Sequence, residues 1–325
     1  MRILVIRRDN IGDLVCATPL LAALRERYPQ AHIAALVNSY NAGVLAGNPH
    51  VDAVHVYTKL KHRQRGESLV GTIVARLRLL RELKKQAFDH VILAKSGFDR
   101  HGLALARRIK PGNIIGFDKD QRVEPTLHEV QAMMQLGARL GVTQAPGPLR
   151  MFPAPQRVAQ WRSRMPPGPA KWVAVHISSR VASRVWPVEH FVSLIRTLDA
   201  GVVLLWAPGP ADDPRHPGDD ARAAAIAMQA GAKVTLFPAK TSSLEDLTAV
   251  LSLCRAFIGP DGGAMHIAAG LGLPVVAFFT NLPYKKQQWH PWQVPHELVS
   301  PESDAAGITV EQVTSAWTRL EARIA

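Results

Sequence analysis

The sequence predicts an α/β protein of two tandem domains, each built on a mainly parallel sheet. Three observations carry this reading. Short apolar runs alternate with helical patterns in the first half, a proline-rich stretch interrupts them, and the alternation then restarts. At 325 residues and 47% hydrophobic content, the chain has material for two ordinary cores.

In the first half, Ile3 to Ile6, His32 to Val37, Val54 to Tyr57, His90 to Leu93 and Ile114 to Phe117 read as strands. Helical spacing covers 14 to 27, 68 to 87, 101 to 109 and 127 to 140. From Thr143 to Ala170, Pro146, Pro148, Pro153, Pro155, Pro166, Pro167 and Pro169 surround one short helical piece, which marks a linker. The expected domains are therefore 1–155 and 156–308. Strands resume at Trp172 to Ile177, Val202 to Trp206, Lys233 to Phe237, Ala256 to Ile258 and Val275 to Phe278, with helices near 187 to 199, 219 to 230, 243 to 253 and 264 to 270. A last segment, 309–325, reads as a helix expected to pack back toward the first domain. Ligands of such sheets bind outside the carboxyl ends of the strands, so a cleft between the domains is the expected site.

Charge divides unevenly along the chain. Residues 1–150 carry 23 Lys and Arg against 12 Asp and Glu, whereas residues 151–325 carry 16 against 14. The first half is thus expected to meet something anionic: nucleic acid, a phospholipid surface or an acidic substrate. Positive charge is densest from Lys59 to Lys85, where Leu69, Ile73, Leu77, Leu80 and Leu83 also recur at helical spacing, the pattern of a basic amphipathic helix. No aromatic residue lies between Lys59 and Lys85 to stack on bases, which weakens a nucleic-acid reading. The apolar run after Met1 is too short for a signal peptide and no stretch is long enough to span a bilayer, so a cytoplasmic location is expected. Cys16 and Cys254 lie far apart in apolar segments and read as small core residues.

Three loops at strand ends carry candidate chemistry. Asp13 follows the first strand and Gly12, at the start of a helix; a carboxylate there either caps free N–H groups or takes a proton from a bound substrate. His176 to Pro187 sets Ser178 and Ser179 before Arg180 and Arg184, donors suited to a diphosphate. Asp261-Gly262-Gly263-Ala264-Met265-His266 runs from a buried strand through a Gly turn into a helix, whose first N–H groups favour phosphate. Asp212, beyond another strand, is a weaker candidate acceptor of ribose hydroxyls. There is no P-loop, dinucleotide fingerprint, nucleophile elbow or zincin motif, and no D-x-D carboxylate pair for a divalent metal.

Together, Ile11-Gly12-Asp13, the Ser178-Ser179 to Trp186-Pro187 loop and Asp261 to His266 resemble the lipopolysaccharide heptosyltransferase family, glycosyltransferase family 9, over nearly the whole chain. The resemblance implies a GT-B fold: two Rossmann-like doubly wound domains facing a central cleft. It also implies an inverting, metal-independent transfer without a cofactor, from a nucleotide-sugar donor, usually ADP-heptose, to a lipid-linked acidic inner-core acceptor at the anionic face of the inner membrane. By position, Asp13 matches the family's general base. Arg184 stands where a Lys usually faces donor phosphate, and Asp261 with His266 matches the D-[ST]-G-x-x-H signature. Gly262 departs from that signature by lacking the hydroxyl, and Asp212 stands where relatives tend to have Glu. On this reading Gly12, Ser178, Ser179, Arg184, Asp212, Asp261, Gly262, Gly263 and His266 bind donor. Lys61, Arg63, Arg65, Arg100 and Arg122 bind acceptor. The competing readings are a nucleotide-sugar epimerase, which needs no lipid acceptor, or another GT-B sugar-nucleotide enzyme, a non-catalytic sugar-nucleotide binder, and a basic nucleic-acid-binding protein.

Overall fold

Ile3, Leu4, Val5 and Ile6 are all buried and make up most of β1 (Arg2–Ile6), the middle strand of the first sheet. A strand covered on both faces has no polar alternation, which is why this run reads as continuously apolar. In the computed structural model, β2 (His32–Asn38) and β4 (His90–Leu93) flank it in parallel, registering Leu4 with Ala34 and with Val91. β3 (Ala53–Tyr57) and β5 (Asn113–Ile115) form the edges, giving the order β3-β2-β1-β4-β5. The structure describes all residues except 58–68, 122, 123, 125, 170, 180, 182, 183, 213–216, 302–304 and 325, and for residues 69 and 70 the backbone alone.

The chain divides into two units, Met1–Arg150 and Met151–Ala325, five residues before the boundary expected from the proline stretch. In the first unit, the helix expected over 14 to 27 is two helices, α1 (Ile11–Val15) and α2 (Thr18–Arg27). Pro19 explains the break, because a ring without an N–H suits a helix's first turn and not its interior. The Thr18 hydroxyl donates to the freed Val15 carbonyl at 2.7 Å. The described part of the unit also contains α3 (Leu69–Lys85), α4 (Arg100–Ile109) and α5 (Glu129–Ala138), and a short 3-10 helix at Ala42–Leu45.

The second unit repeats the plan with six parallel strands, β6 (Trp172–His176), β7 (Gly201–Leu205), β8 (Leu236–Pro238), β9 (Ala256–Pro260), β10 (Val275–Phe278) and β11 (His296–Val299). Their order is β11-β10-β9-β6-β7-β8. The helices are α6 (Pro155–Arg164), α7 (Val188–Thr197), α8 (Asp220–Ala230), α9 (Leu244–Leu251), α10 (Gly263–Gly270), α11 (Pro283–Trp289) and α12 (Val310–Ile324). β11 and α11 were not expected: His296 to Val299 carries two polar residues in four, and α11 is a single short piece with no apolar stripe. The last helix, α12, lies on α7, β10 and β11 and buries Val313, Ala316, Trp317 and Leu320 within the second unit.

Each sheet reverses its strand order once, between β1 and β4 and between β6 and β9. Loops at the carboxyl ends of those strand pairs diverge to opposite faces of the sheet and leave a crevice, where ligands of doubly wound sheets bind. The three sequence-predicted loops follow β1, β6 and β9, so all of them lie at these two reversals. Close approach at the second reversal needs Gly259, because a Cβ there would sit 2.7 Å from the His176 carbonyl oxygen. Both cysteines are buried, and burial pushes the Cys254 thiol up to about 12. No described helix is long and apolar enough to cross a membrane.

Candidate active site

The loop after β1 is fixed before any ligand arrives. Asn38, 1% exposed at the end of β2, donates to the carbonyl oxygens of Arg8 at 2.7 Å and Asp9 at 3.1 Å. Asp13 then sits in the third position of α1 and accepts from the Asn10 backbone N–H at 2.7 Å through Oδ2, so the capping role is real. Its other oxygen, Oδ1, accepts from the Arg7 guanidinium at 2.8 Å. Arg7 is 2% exposed and donates also to Glu129 at 2.8 Å and to the Ala94 carbonyl at the end of β4.

This arrangement determines the protonation of Asp13. Burial by itself raises a carboxyl pKa, but the Arg7 charge and the hydrogen bonds from Asn10 and Arg7 outweigh it, holding the group below its ordinary value. Burial likewise opposes the charge on Arg7, and Glu129 and Asp13 overcome it, so the guanidinium stays protonated. The carboxylate is largely shielded, at 12% exposure, and charged. Because its pKa is depressed on folding, it contributes stability above the unfolded value, and that contribution is lost as pH falls through the folded one.

At the reversal of the second sheet, Asp261 follows β9 and its backbone N–H donates to the Phe278 carbonyl at 2.9 Å. Gly262 precedes the first turn of α10 in an extended conformation, φ 167°, and a Cβ added there meets nothing within 4 Å. Glycine is thus not required at 262, and its missing hydroxyl is a chemical difference with no steric cause. His266, one turn further, is 3% exposed and meets the Trp289 ring edge-on, with centroids 6.0 Å apart. It is packed into the unit and almost fully shielded from solvent.

The loop after β6 is anchored by Trp186, whose ring is buried and whose Nε1 donates to the Ile308 carbonyl at 2.8 Å. Two residues upstream, Arg184 donates to the Asp261 carboxylate at 3.1 Å, so two residues expected to bind donor hold each other. Among the described residues, Arg184 Nε is buried without a partner. Ser178 joins this loop to the one after β7, its hydroxyl oxygen accepting from the Ala207 N–H at 2.8 Å, and the Ser179 hydroxyl accepts from the Val181 N–H at 3.3 Å. His176, stacked on Phe257, is held neutral because burial pushes its pKa down to about 4. Asp212 lies exposed on a turn. It is Asp220 that accepts from Trp206 Nε1 at 2.7 Å and from Lys240 at 2.8 Å, and these bonds lower its pKa to about 2.

Of the acceptor candidates, Arg100 is exposed at the start of α4, where Asp99 accepts from the Gly102 N–H at 2.8 Å. Lys61, Arg63, Arg65 and Arg122 lie outside the described residues. Gly12 is buried in α1, and Gly263 opens α10. Among the described residues no three His, Cys, Asp or Glu side chains converge as metal ligands do. Arg7 and Glu129 are the residues that sequence reasoning missed. An arginine closing a continuously apolar strand was a visible signal for the first; nothing near Glu129 pointed to the second.

Comparison with known proteins bears on what these loops serve. The sequence profile of glycosyltransferase family 9 (heptosyltransferase) matches residues 76–315, more than half of the chain. The chain belongs to this family. Members are glycosyltransferases, and this chain is one. Lipopolysaccharide heptosyltransferase 3 of Escherichia coli is 24% identical over 298 residues, covering 86% of this chain and 82% of that protein. Among solved structures, a family 9 glycosyltransferase from Veillonella parvula superposes with a TM-score of 0.82 at 21% identity, covering 99% of this chain and 97% of that one. The E. coli heptosyltransferase WaaC with ADP gives 0.77 at 17% identity, covering 98% and 100%. The two doubly wound sheets are the fold these glycosyltransferases share.

Two predictions follow from the geometry. Arg7→Met should destabilise the protein by about 3–5 kcal/mol in urea unfolding, because it removes the shared partner of two shielded carboxylates, and Arg7→Met/Glu129→Met should regain only the part that belongs to Glu129, since Asp13 still lacks its cation. Gly262→Ser, free of steric conflict, should unfold within about 0.5 kcal/mol of wild type or above it, and should tighten nucleotide binding measured by calorimetry.

Proposed function

We propose that this glycosyltransferase moves a heptose, with inversion, from ADP-heptose to an acidic, lipid-linked inner-core acceptor of lipopolysaccharide, and that Asp13 is the general base. The observation that carries the proposal is the ionised, aimed carboxylate of Asp13 at the reversal of the first sheet, held by Arg7 and Asn10. Further support comes from relatives whose names state heptosyl transfer and from a structural relative solved with ADP.

In this reading the acceptor hydroxyl oxygen forms a bond to the anomeric carbon as the bond from that carbon to the diphosphate oxygen breaks. The sugar passes through an oxocarbenium-like state, the hydroxyl proton goes to Asp13, and the nucleoside diphosphate leaves with the electron pair. Negative charge growing on the leaving diphosphate is met by the N–H groups of Gly263 and the first turn of α10 and by the free edge of the Arg184 guanidinium, so the reaction needs no divalent ion. Asp261 acts by orienting Arg184. Ser178, Ser179 and Asp212 line the nucleotide end, while His266 supports α10 from within. Arg100, with Lys61, Arg63, Arg65 and Arg122, meets the acidic groups of the acceptor at a cytoplasmic, membrane-facing location.

Product analysis with a panel of nucleotide sugars and delipidated inner-core acceptors tests the assignment. ADP-heptose should be the preferred donor, turnover should persist in EDTA, and Asp13→Ala should bind ADP normally by calorimetry while turnover falls by a factor of about a hundred or more. Near-normal turnover in that variant would remove Asp13 as the base, and consumption of donor without acceptor would replace transfer by another reaction.

A further inference from the structure

α3 is an amphipathic helix whose apolar face is only half used. Its carboxyl-terminal part, Leu79, Leu80 and the fully buried Leu83, packs on the first unit's core. Over the preceding turns Ile73 is 50% exposed, Val74 39% and Leu77 49%. Large side chains scattered singly on a surface need no explanation, but a run of them on one helix does. Beneath them a slot of about 240 Å³ is lined by Leu36 of β2, Tyr57 of β3, Leu77 and Leu80 of α3 and Leu105 of α4.

The rim of this slot is cationic. Arg8 and Arg76 both stack on the Tyr57 ring, at 5.8 and 5.9 Å from its centroid, and Arg108 of α4 also borders the opening. Arg78, Arg81, Lys84 and Lys85 extend the charge along α3, and Glu82 is the only acid in either α3 or α4. Neither helix has an aromatic residue for stacking on bases, and the Tyr57 ring is already flanked by guanidinium groups. Apolar side chains exposed beside a belt of arginines match an anionic amphiphile, with acyl carbon against leucine and isoleucine and headgroup phosphate against arginine.

We infer that the α3–α4 face is a docking surface for an anionic phospholipid bilayer, with the slot under Ile73 and Leu77 receiving acyl chain and Arg76 and Arg108 receiving headgroup phosphate. This goes beyond sugar transfer and does not depend on which sugar is moved. Attachment of this kind requires no membrane-spanning helix, and each arginine near an anionic surface adds about 1 kcal/mol of binding.

Vesicle co-sedimentation of the full chain is the test, using phosphatidylcholine vesicles and vesicles of phosphatidylcholine mixed with phosphatidylglycerol. Wild type should bind the mixed vesicles, and binding should fall with salt and be weak on phosphatidylcholine alone. Ile73→Ser/Leu77→Ser should lower partitioning by about tenfold or more through lost apolar burial, and Arg76→Glu/Arg78→Glu by a similar factor with the apolar face intact. Both variants should keep wild-type turnover on a water-soluble delipidated acceptor, which separates a docking defect from a failed transferase. Equal vesicle binding by wild type and both variants, or no vesicle binding at all, would overturn the inference. So would a concentration-dependent dimer that Ile73→Ser/Leu77→Ser dissociates, since that would assign the face to a second copy of the chain.

Discussion

The guanidinium of Arg7, at the end of the central strand of the first sheet, is shared between Glu129 and Asp13 and also bonds the Ala94 carbonyl. It therefore ties β1, the end of β4, the start of α5 and the first turn of α1 to one buried charge. A cation almost without solvent is tolerable only when carboxylates surround it, and a carboxylate this shielded stays ionised only beside a cation. Each group thus requires the others. The position and the charge of Asp13 follow from the same contact.

That contact makes Asp13 a weak base in the thermodynamic sense, which at first counts against its proposed role. Efficient proton transfer favours a base whose pKa is close to the working pH. Glycosyl transfer relaxes this demand, because the acceptor hydroxyl becomes acidic only as its oxygen bonds to an electron-poor anomeric carbon. A base that receives the proton late in the step needs to be ionised and aimed more than it needs to be strong. Asp13 meets both needs, and its bond to the Asn10 N–H adds orientation to the helix-capping role, so capping and catalysis do not compete for the residue. At the second reversal the Trp186 anchor, Arg184 and Asp261 form a similar chain from a buried ring to the charge proposed to meet the donor diphosphate.

Much of this was legible in the sequence because it is local. The continuous apolar runs at Ile3 to Ile6 and Ala256 to Ile258 revealed strands buried on both faces, and Gly262-Gly263 after one of them marked the helix start. Pro19 held the information that split α1 from α2, but periodicity across 14 to 27 concealed it. The strand at His296 was hidden because an edge strand with two polar residues resembles a loop. The Arg7–Glu129 pair could not be read at all, since 122 positions separate its members and the end of β1 meets the start of α5 only in the folded unit. His266 was legible as a residue of the signature and not as a buried one, because burial against Trp289 depends on α11, an element without a sequence pattern.

The central claim is that Arg7 holds Asp13 ionised for proton transfer, and the pH dependence of kcat/KM tests it most directly. The comparison is between wild type and Arg7→Met/Glu129→Met, which removes the Arg7–Glu129 pair together and leaves Asp13 without its cation. Wild type should retain its rate down to a pH below the ordinary carboxylate range, because the guanidinium opposes protonation of Asp13. In the double variant burial acts without that opposition, so the acidic limb should move to higher pH. Acidic limbs that coincide in the two proteins would contradict the account.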